Sequence, residues 1–231
     1  MGGIINIITK QHVLSDTFKL SGSGDFSYEF NGNGISGGAE LGGSGKKFNF
    51  LLSGSYRDFG DYKSGNDSLM ISSFRAYDYS VKAGYKFNDS HKIQASYRHS
   101  FAKDVMHAGL PMDALDDDGK IFSLDYYYSQ TKGTLSSFKF KAYGSVVDHL
   151  MTNEFKKNYM FVEALAFVES QTFGAKSEFV FSLSDDLFIY AGVDYIRKFR
   201  DGERDRLVKV NACTGTDLPE PADQTFLVLW Y

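Results

Sequence analysis

The chain predicts an all-β fold, an antiparallel transmembrane β-barrel, and three observations carry that prediction. At least seven segments of about ten residues place apolar or aromatic side chains at every second position. Turn-forming residues separate these segments. The connections between them alternate between short and long. Side chains alternate across a β-strand, so each segment has one greasy face and one wet face. In the clearest case Tyr77, Tyr79, Val81, Ala83, Tyr85 and Phe87 oppose Asp78, Ser80, Lys82, Gly84 and Lys86. Membrane-crossing strands have this length and this dyad pattern.

Taken in order, Gly3 to Lys10 reads as a short β-branched strand. Phe18 to Phe30 is a strand interrupted by Gly22 and Gly24, and Asn31-Gly32-Asn33-Gly34 is a tight turn. Ser36 to Gly42 is a glycine-rich strand, followed by a turn at 43–46. Phe48 to Asp58, Tyr77 to Phe87, Lys92 to Phe101, Ile121 to Gln130 and Ser136 to Asp148 are strands by alternation. Phe173 to Leu183 and Leu187 to Lys198 form a hairpin about Ser184-Asp185-Asp186. Residues 59–76, 102–120 and 149–172 are expected as long connections, with Tyr159 to Val168 open to a strand reading. Residues 199–225, charged and then proline-containing, are expected as loop. From residue 43 onward the short turns at 43–46, 88–91, 131–135 and 184–186 all fall at one end of such a sheet. Bacterial barrels show this asymmetry between periplasmic turns and extracellular loops.

Composition narrows the function classes. Net charge is −4 with no basic block, so nucleic-acid binding has little support. Cys213 is the only cysteine, which excludes an intrachain disulfide framework. Aromatic content of 16% suits strands and interfacial girdles. No apolar run approaches the roughly 18 residues of a membrane helix. The start lacks a basic, apolar secretory leader, as expected of a cytoplasmic chain or of one whose true beginning lies upstream.

The opening segment Gly3-Ile4-Ile5-Asn6-Ile7-Ile8-Thr9-Lys10 resembles the end of the plug domain in TonB-dependent outer-membrane receptors, where a G-x-I-N-I-I-T-K segment precedes the first barrel strand. Asp104 to Asp113, followed by Asp117-Asp118, and Val147 to Asn153 resemble loop segments of a subgroup that includes copper receptors. The resemblance implies that residues 1–12 end the plug and 13–231 form the first part of the barrel. Such barrels have roughly 22 strands, of which about nine or ten fit here. The chain therefore reads as an internal piece of a receptor. The resemblance also implies uptake of a metal complex such as an iron–siderophore or copper. Its implied partners are outer-membrane lipid and the TonB–ExbB–ExbD system, with no resident cofactor.

One group of residues could ligate a metal. Met106, His107 and Met112 lie in one expected loop, and His149 and Met151 begin the next. Thioethers with imidazoles suit copper, especially Cu(I). The competing reading is loop packing, since Met fills gaps readily. Asp116-Asp117-Asp118-Gly119 lacks the later glutamate of a calcium loop and reads as an acidic turn. Ser44-Gly45-Lys46-Lys47 lacks P-loop spacing and reads as a turn. No G-x-S-x-G elbow occurs. His99 falls on the apolar face near a strand end, as an interfacial side chain would. Lys82, Lys86, Lys92 and Arg98 fall on the wet face and are expected in a lumen. Two alternatives remain open: a small complete barrel acting as a porin or adhesin, and a barrel enzyme. No acid–base constellation supports the second.

Overall fold

The computed structural model describes residues 13–210 and 214–227. Ten strands form one antiparallel sheet in which each strand pairs with its neighbours in sequence. They are β1 (Lys19–Glu29), β2 (Gly34–Ser44), β3 (Phe48–Phe59), β6 (Phe74–Lys86), β7 (His91–Val105), β8 (Asp113–Ser129), β9 (Leu135–Thr152), β10 (Val162–Ser182), β11 (Phe188–Val210) and β12 (Asp217–Leu227). A separate two-stranded hairpin, β4 (Tyr62–Lys63) with β5 (Leu69–Met70), stands in the connection after β3. Asp61 Oδ1 anchors it by accepting the Ser72 and Ser73 amides at 2.9 and 3.0 Å. Asn31 clasps it through both polar groups of the Lys63 backbone, each at 2.8 Å.

The register shows why alternation built this sheet. One rung runs Gly43, Phe50, Ala83, Ala95, Leu124, Ala142, Ala175 and Tyr195 across eight strands. The next runs Ser44, Asn49, Gly84, Gln94, Asp125, Lys141, Lys176 and Asp194. Exposure is inverted relative to a water-soluble protein. Val81 and Leu124 are 43% and 44% exposed, whereas Gln94 and Asp125 on the polar face are 8% and 6%. The described residues bury no large apolar core. Only Leu51, Ala76, Met112, Ala114 and Ala164 are buried hydrophobics. A single sheet that turns its greasy face outward is the solution for a strand whose greasy side meets lipid. Among the described residues no helix is long and apolar enough to cross a membrane.

Aromatic rings bracket that apolar band. Near the short turns Phe138 contacts Tyr126 at 6.1 Å and Phe179 at 4.8 Å between ring centroids, and Tyr85 meets Phe87 edge-on. At the other end Tyr77 stacks on Phe101 at 4.7 Å and touches Tyr56 at 5.0 Å. From Tyr77 to Phe87 is about 33 Å of strand, or about 25 Å across a bilayer at barrel tilt. Tyrosine and phenylalanine rings at both borders are the girdles such a band needs.

Several boundaries differ from expectation. The connections expected at 102–120 and 149–172 shrink to 106–112 and 153–161, because β7, β8, β9 and β10 continue into them. Asp116 to Gly119 therefore lies inside β8 rather than in an acidic turn. Residues 199–210 extend β11, and 217–227 form β12, where a loop was expected. Pro219 and Pro221 thus sit within a strand, in the stretch between Asp217 and Ala222 where the register slips. Proline tolerates such an irregularity because no ladder donor is needed there. The extensions of β7 to β11 share one cause. Strands of 15 to 23 residues outrun the roughly 9–11 needed to cross a membrane. Beyond the bilayer both faces are wet and the greasy alternation stops. Residues 1–12, expected as the end of a plug, lie outside the described residues.

Candidate functional site

The long-connection end of the sheet holds the candidate donors, and a buried polar node organises it. Asp113, at the foot of β8, is 0% exposed. Its Oδ1 accepts the His107 amide at 2.7 Å and faces Lys156 Nζ at 2.6 Å. Lys156 also donates to the His107 carbonyl at 2.5 Å. Both backbone polar groups of His107 are thereby held, and one lysine ties the 106–112 connection to the 153–161 connection. The Met106 amide is fixed to the Ser73 carbonyl at 2.8 Å.

Asn153 closes the other side. It is 1% exposed; its Oδ1 accepts the Ala164 amide and its Nδ2 donates to the Val162 carbonyl, both at 2.7 Å. A buried amide that satisfies strand-end backbone groups costs little and fixes the turn. The chain then enters a 3-10 turn at Lys157–Met160. Lys209 Nζ lies 3.9 Å from the Tyr159 ring centroid and 3.1 Å from Glu163 Oε2. Desolvation first, and then the hydrogen bond and charge of Glu163, push the Tyr159 hydroxyl above its ordinary value. Lys209 opposes that rise.

The five sequence candidates divide into two sets. Met106, His107 and Met112 occupy the 106–112 connection, with Met106 and His107 half-buried. Met112 is only 8% exposed, which is the environment of a packing residue. His149 and Met151 are in β9, not at the start of a loop. Two residues apart, they share the polar face, His149 opposite Asp117 and Met151 opposite Ala114. His149 Nδ1 stands 3.7 Å from Asp117 Oδ1, too far for a hydrogen bond. The node brings the two connections together through Lys156. Among the described residues no hydrogen bond or ion pair joins the His107 imidazole to the His149 imidazole, and no three His, Cys, Asp or Glu side chains converge to hold a metal.

The remaining charges follow the face assignment. Arg98 binds Asp78 Oδ2 through Nε at 2.8 Å and Nη2 at 2.6 Å, and Lys141 faces Asp125 at 3.3 Å, all on the polar face. His99 sits on the apolar face at its border. Its Nδ1 meets the Tyr79 hydroxyl and its Nε2 meets Asp118 Oδ2, each at 2.8 Å. Sequence reasoning missed Asp113, Lys156 and Asn153, whose partners lie up to 49 residues away. It read the charged upper half of β11 as loop, although a strand signal was present: from Lys198 to Arg206 cations stand at even positions (Lys198, Arg200, Arg204, Arg206) and anions at odd ones (Asp201, Glu203, Asp205).

No family model matches the chain, and no curated protein matches it. Solved structures do. The chain resembles a structure described as the copper transporter OprC, with a TM-score of 0.68 at 17% identity over 91% of this chain. It also matches the ferric yersiniabactin uptake receptor FyuA from Yersinia pestis, with a TM-score of 0.49 at 9% identity over 94% of this chain. The chain spans 32% and 39% of those two proteins respectively. At this identity the likeness to the first is one of fold: the chain has the all-β, antiparallel architecture of an outer-membrane β-barrel wall.

Proposed function

We propose that this chain is the opening part of the barrel of a TonB-dependent outer-membrane receptor that takes up a metal complex. The observation that carries the reading is the single ten-stranded sheet with its greasy face outward, joined to its likeness to a copper transporter. In this reading the apolar face meets outer-membrane lipid and the polar face lines the lumen. Uptake by the whole protein draws on the TonB–ExbB–ExbD system, and residues 1–12 are the end of a plug.

The ligand is a soft or borderline metal ion or its complex, and copper fits the donor types best. His149 and Met151 present an imidazole and a thioether on the lumen side, with Met106, His107 and Met112 in the neighbouring connection. Two donors do not fill a coordination sphere, so further ligands come from elsewhere in the whole protein or from the chelator. The test is copper accumulation in cells making the natural protein. Replacing His149 and Met151 together by Ala should lower accumulation while leaving the protein in the outer-membrane fraction. Unchanged accumulation would remove the donor assignment. Absence of the unaltered natural protein from that fraction would remove the receptor reading itself.

A further inference from the structure

The upper half of β11 carries a cluster of arginines beside a cavity. Register places Arg204 opposite Ala166, Gly202 opposite Val168 and Arg200 opposite Ser170, all on the polar face. A cavity of about 450 Å³ lies there, lined by Ala166, Val168, Ser170, Arg200, Gly202 and Arg204, with Asp201 and Glu203 also on its border. That volume is in the range of small-molecule sites. Gly202 is buried, and a Cβ there would sit 3.2 Å from the Phe167 carbonyl oxygen and 3.4 Å from Val168 Cγ2. The floor is thus kept clear between the two arginines, each of which is exposed. Arg206 follows one step further along the same face, and its Nε is buried without a hydrogen-bond partner.

From Lys198 to Arg206 the charges sort by face, with Arg197 and Lys209 at odd positions on either side of that run. Asp201, Glu203 and Asp205 alternate with the arginines along the strand, and although Asp201 and Glu203 border the cavity, none of the three forms an ion pair with them. Among the described residues no carboxylate pairs with Arg200, Arg204 or Arg206. Some cations elsewhere on the polar face are paired, as with Arg98 on Asp78, Lys141 on Asp125 and Lys176 on Glu178, while Arg57, Lys92 and Lys139 form no ion pair; among the described residues only in β11 do unpaired arginines cluster about a cavity. Unpaired guanidinium groups around a small cavity call for an external anion, because their planar forks match two oxygens at once.

We propose that Arg200 and Arg204, backed by Arg206, bind a small oxyanion bearing carboxylate or phosphate groups in this cavity. His149 lies opposite Val168 on the other side of β10, so it is two strand spacings, about 10 Å, from the backbone of Gly202. The site stands on β11 and β10 alone and does not depend on a metal at His149 and Met151.

The experiment uses the natural protein in detergent micelles and metal-free buffer, titrated calorimetrically with citrate and, separately, with pyrophosphate. Saturable binding of either anion is expected, and the tighter of the two names the ligand class. Arg200→Ala with Arg204→Ala should weaken it about tenfold or more, the loss expected when charged hydrogen-bond donors are removed. Arg204→Lys should keep the fold and charge but lose part of the affinity, since an ammonium lacks the fork. Arg57→Ala, on the polar face of β3 away from the cavity, should leave binding unchanged. No saturable binding of either anion, or affinities within about twofold across all variants, overturns the proposal. In the first of these outcomes, loss of stability in the Arg200/Arg204 variant would assign the arginines to pairing with another protein segment. Copper titration of the same samples tests the uptake reading separately, so either can fail alone.

Discussion

Lys156 Nζ lies 2.6 Å from Asp113 Oδ1 and 2.5 Å from the His107 carbonyl oxygen, so one ammonium group joins two connections whose residues are 49 apart in sequence. Asp113 is wholly buried while the Lys156 side chain is 15% exposed. A pair in that setting matters most when half of it is removed. Lys156→Met should destabilise the protein by on the order of 3 kcal/mol, because a buried carboxylate is left uncompensated. Thermal melts would read that loss, and hydrogen exchange should show the His107 amide losing protection. Adding Asp113→Asn should recover part of it. A single variant as stable as the parent would show that the bridge holds nothing.

Charge tolerance should differ sharply between adjacent positions. Ala95 lies on the apolar rung and Ser96 on the polar one. Ala95→Arg should cost about 2–4 kcal/mol of folding in lipid, the value for a cation at mid-depth. Ser96→Arg should cost less, about 1 kcal/mol, since the guanidinium reaches the wet face and the loss is chiefly the Ser96–Ser123 hydroxyl bond. Equal effects in a vesicle-folding assay would contradict the face assignment.

Gly174 is held small by its neighbour. A Cβ there would strike the Tyr143 ring, which lies across it from β9. Gly174→Val should therefore destabilise by about 1–3 kcal/mol through overpacking. Combining it with Tyr143→Ala should restore much of the loss. Additive effects in the double-mutant cycle would show that the two residues do not share the space.

The 87–90 turn gives a pH prediction. The Lys86 ammonium, 2.6 Å from Asp89 Oδ1, holds that carboxyl below its ordinary value of 3.8, first by hydrogen bonding and then by charge. A depressed folded pKa contributes stability above the unfolded value, and the contribution is lost as pH falls through the folded one. Asp89→Asn should thus be slightly less stable than the parent near neutral pH, with the difference vanishing in acid. Because Asp89 is fully exposed, the effect should also fade in high salt. A difference that persists at low pH would point to another cause.

Residues 1–231 made alone should aggregate rather than insert. The outer edges of β1 and β12 pair with nothing among the described residues. Each unpaired backbone group in hydrocarbon costs several kcal/mol. A monomeric species that enters vesicles and shifts on a gel when heated would refute this.

The membrane-crossing parts of the strands were legible because lipid on one side and water on the other impose a period of two on hydrophobicity. Tyr77 to Phe87 shows this directly. The upper parts of β8 to β11 were not, because water reaches both faces and polar residues fill every position. Asp116 to Gly119 reads as a turn for that reason, and 199–210 as a loop. In β11 the period of two persisted in the sign of charge rather than in hydrophobicity. At the candidate site His149 and Met151 were nameable from chemistry, but their shared face needed the register. Asp113 looks like any loop acid until its distant lysine is in place.

Strand length climbs from 11 residues in β1 to 23 in β11, and the added residues amount to about 40 Å of extended chain. In a membrane the rim would not be level. One flank would end near the headgroups while the other rises as a palisade, with Arg200, Arg204 and Arg206 on its inner side. An anion drifting in from outside would meet that tall flank first and be drawn along it before reaching the mouth.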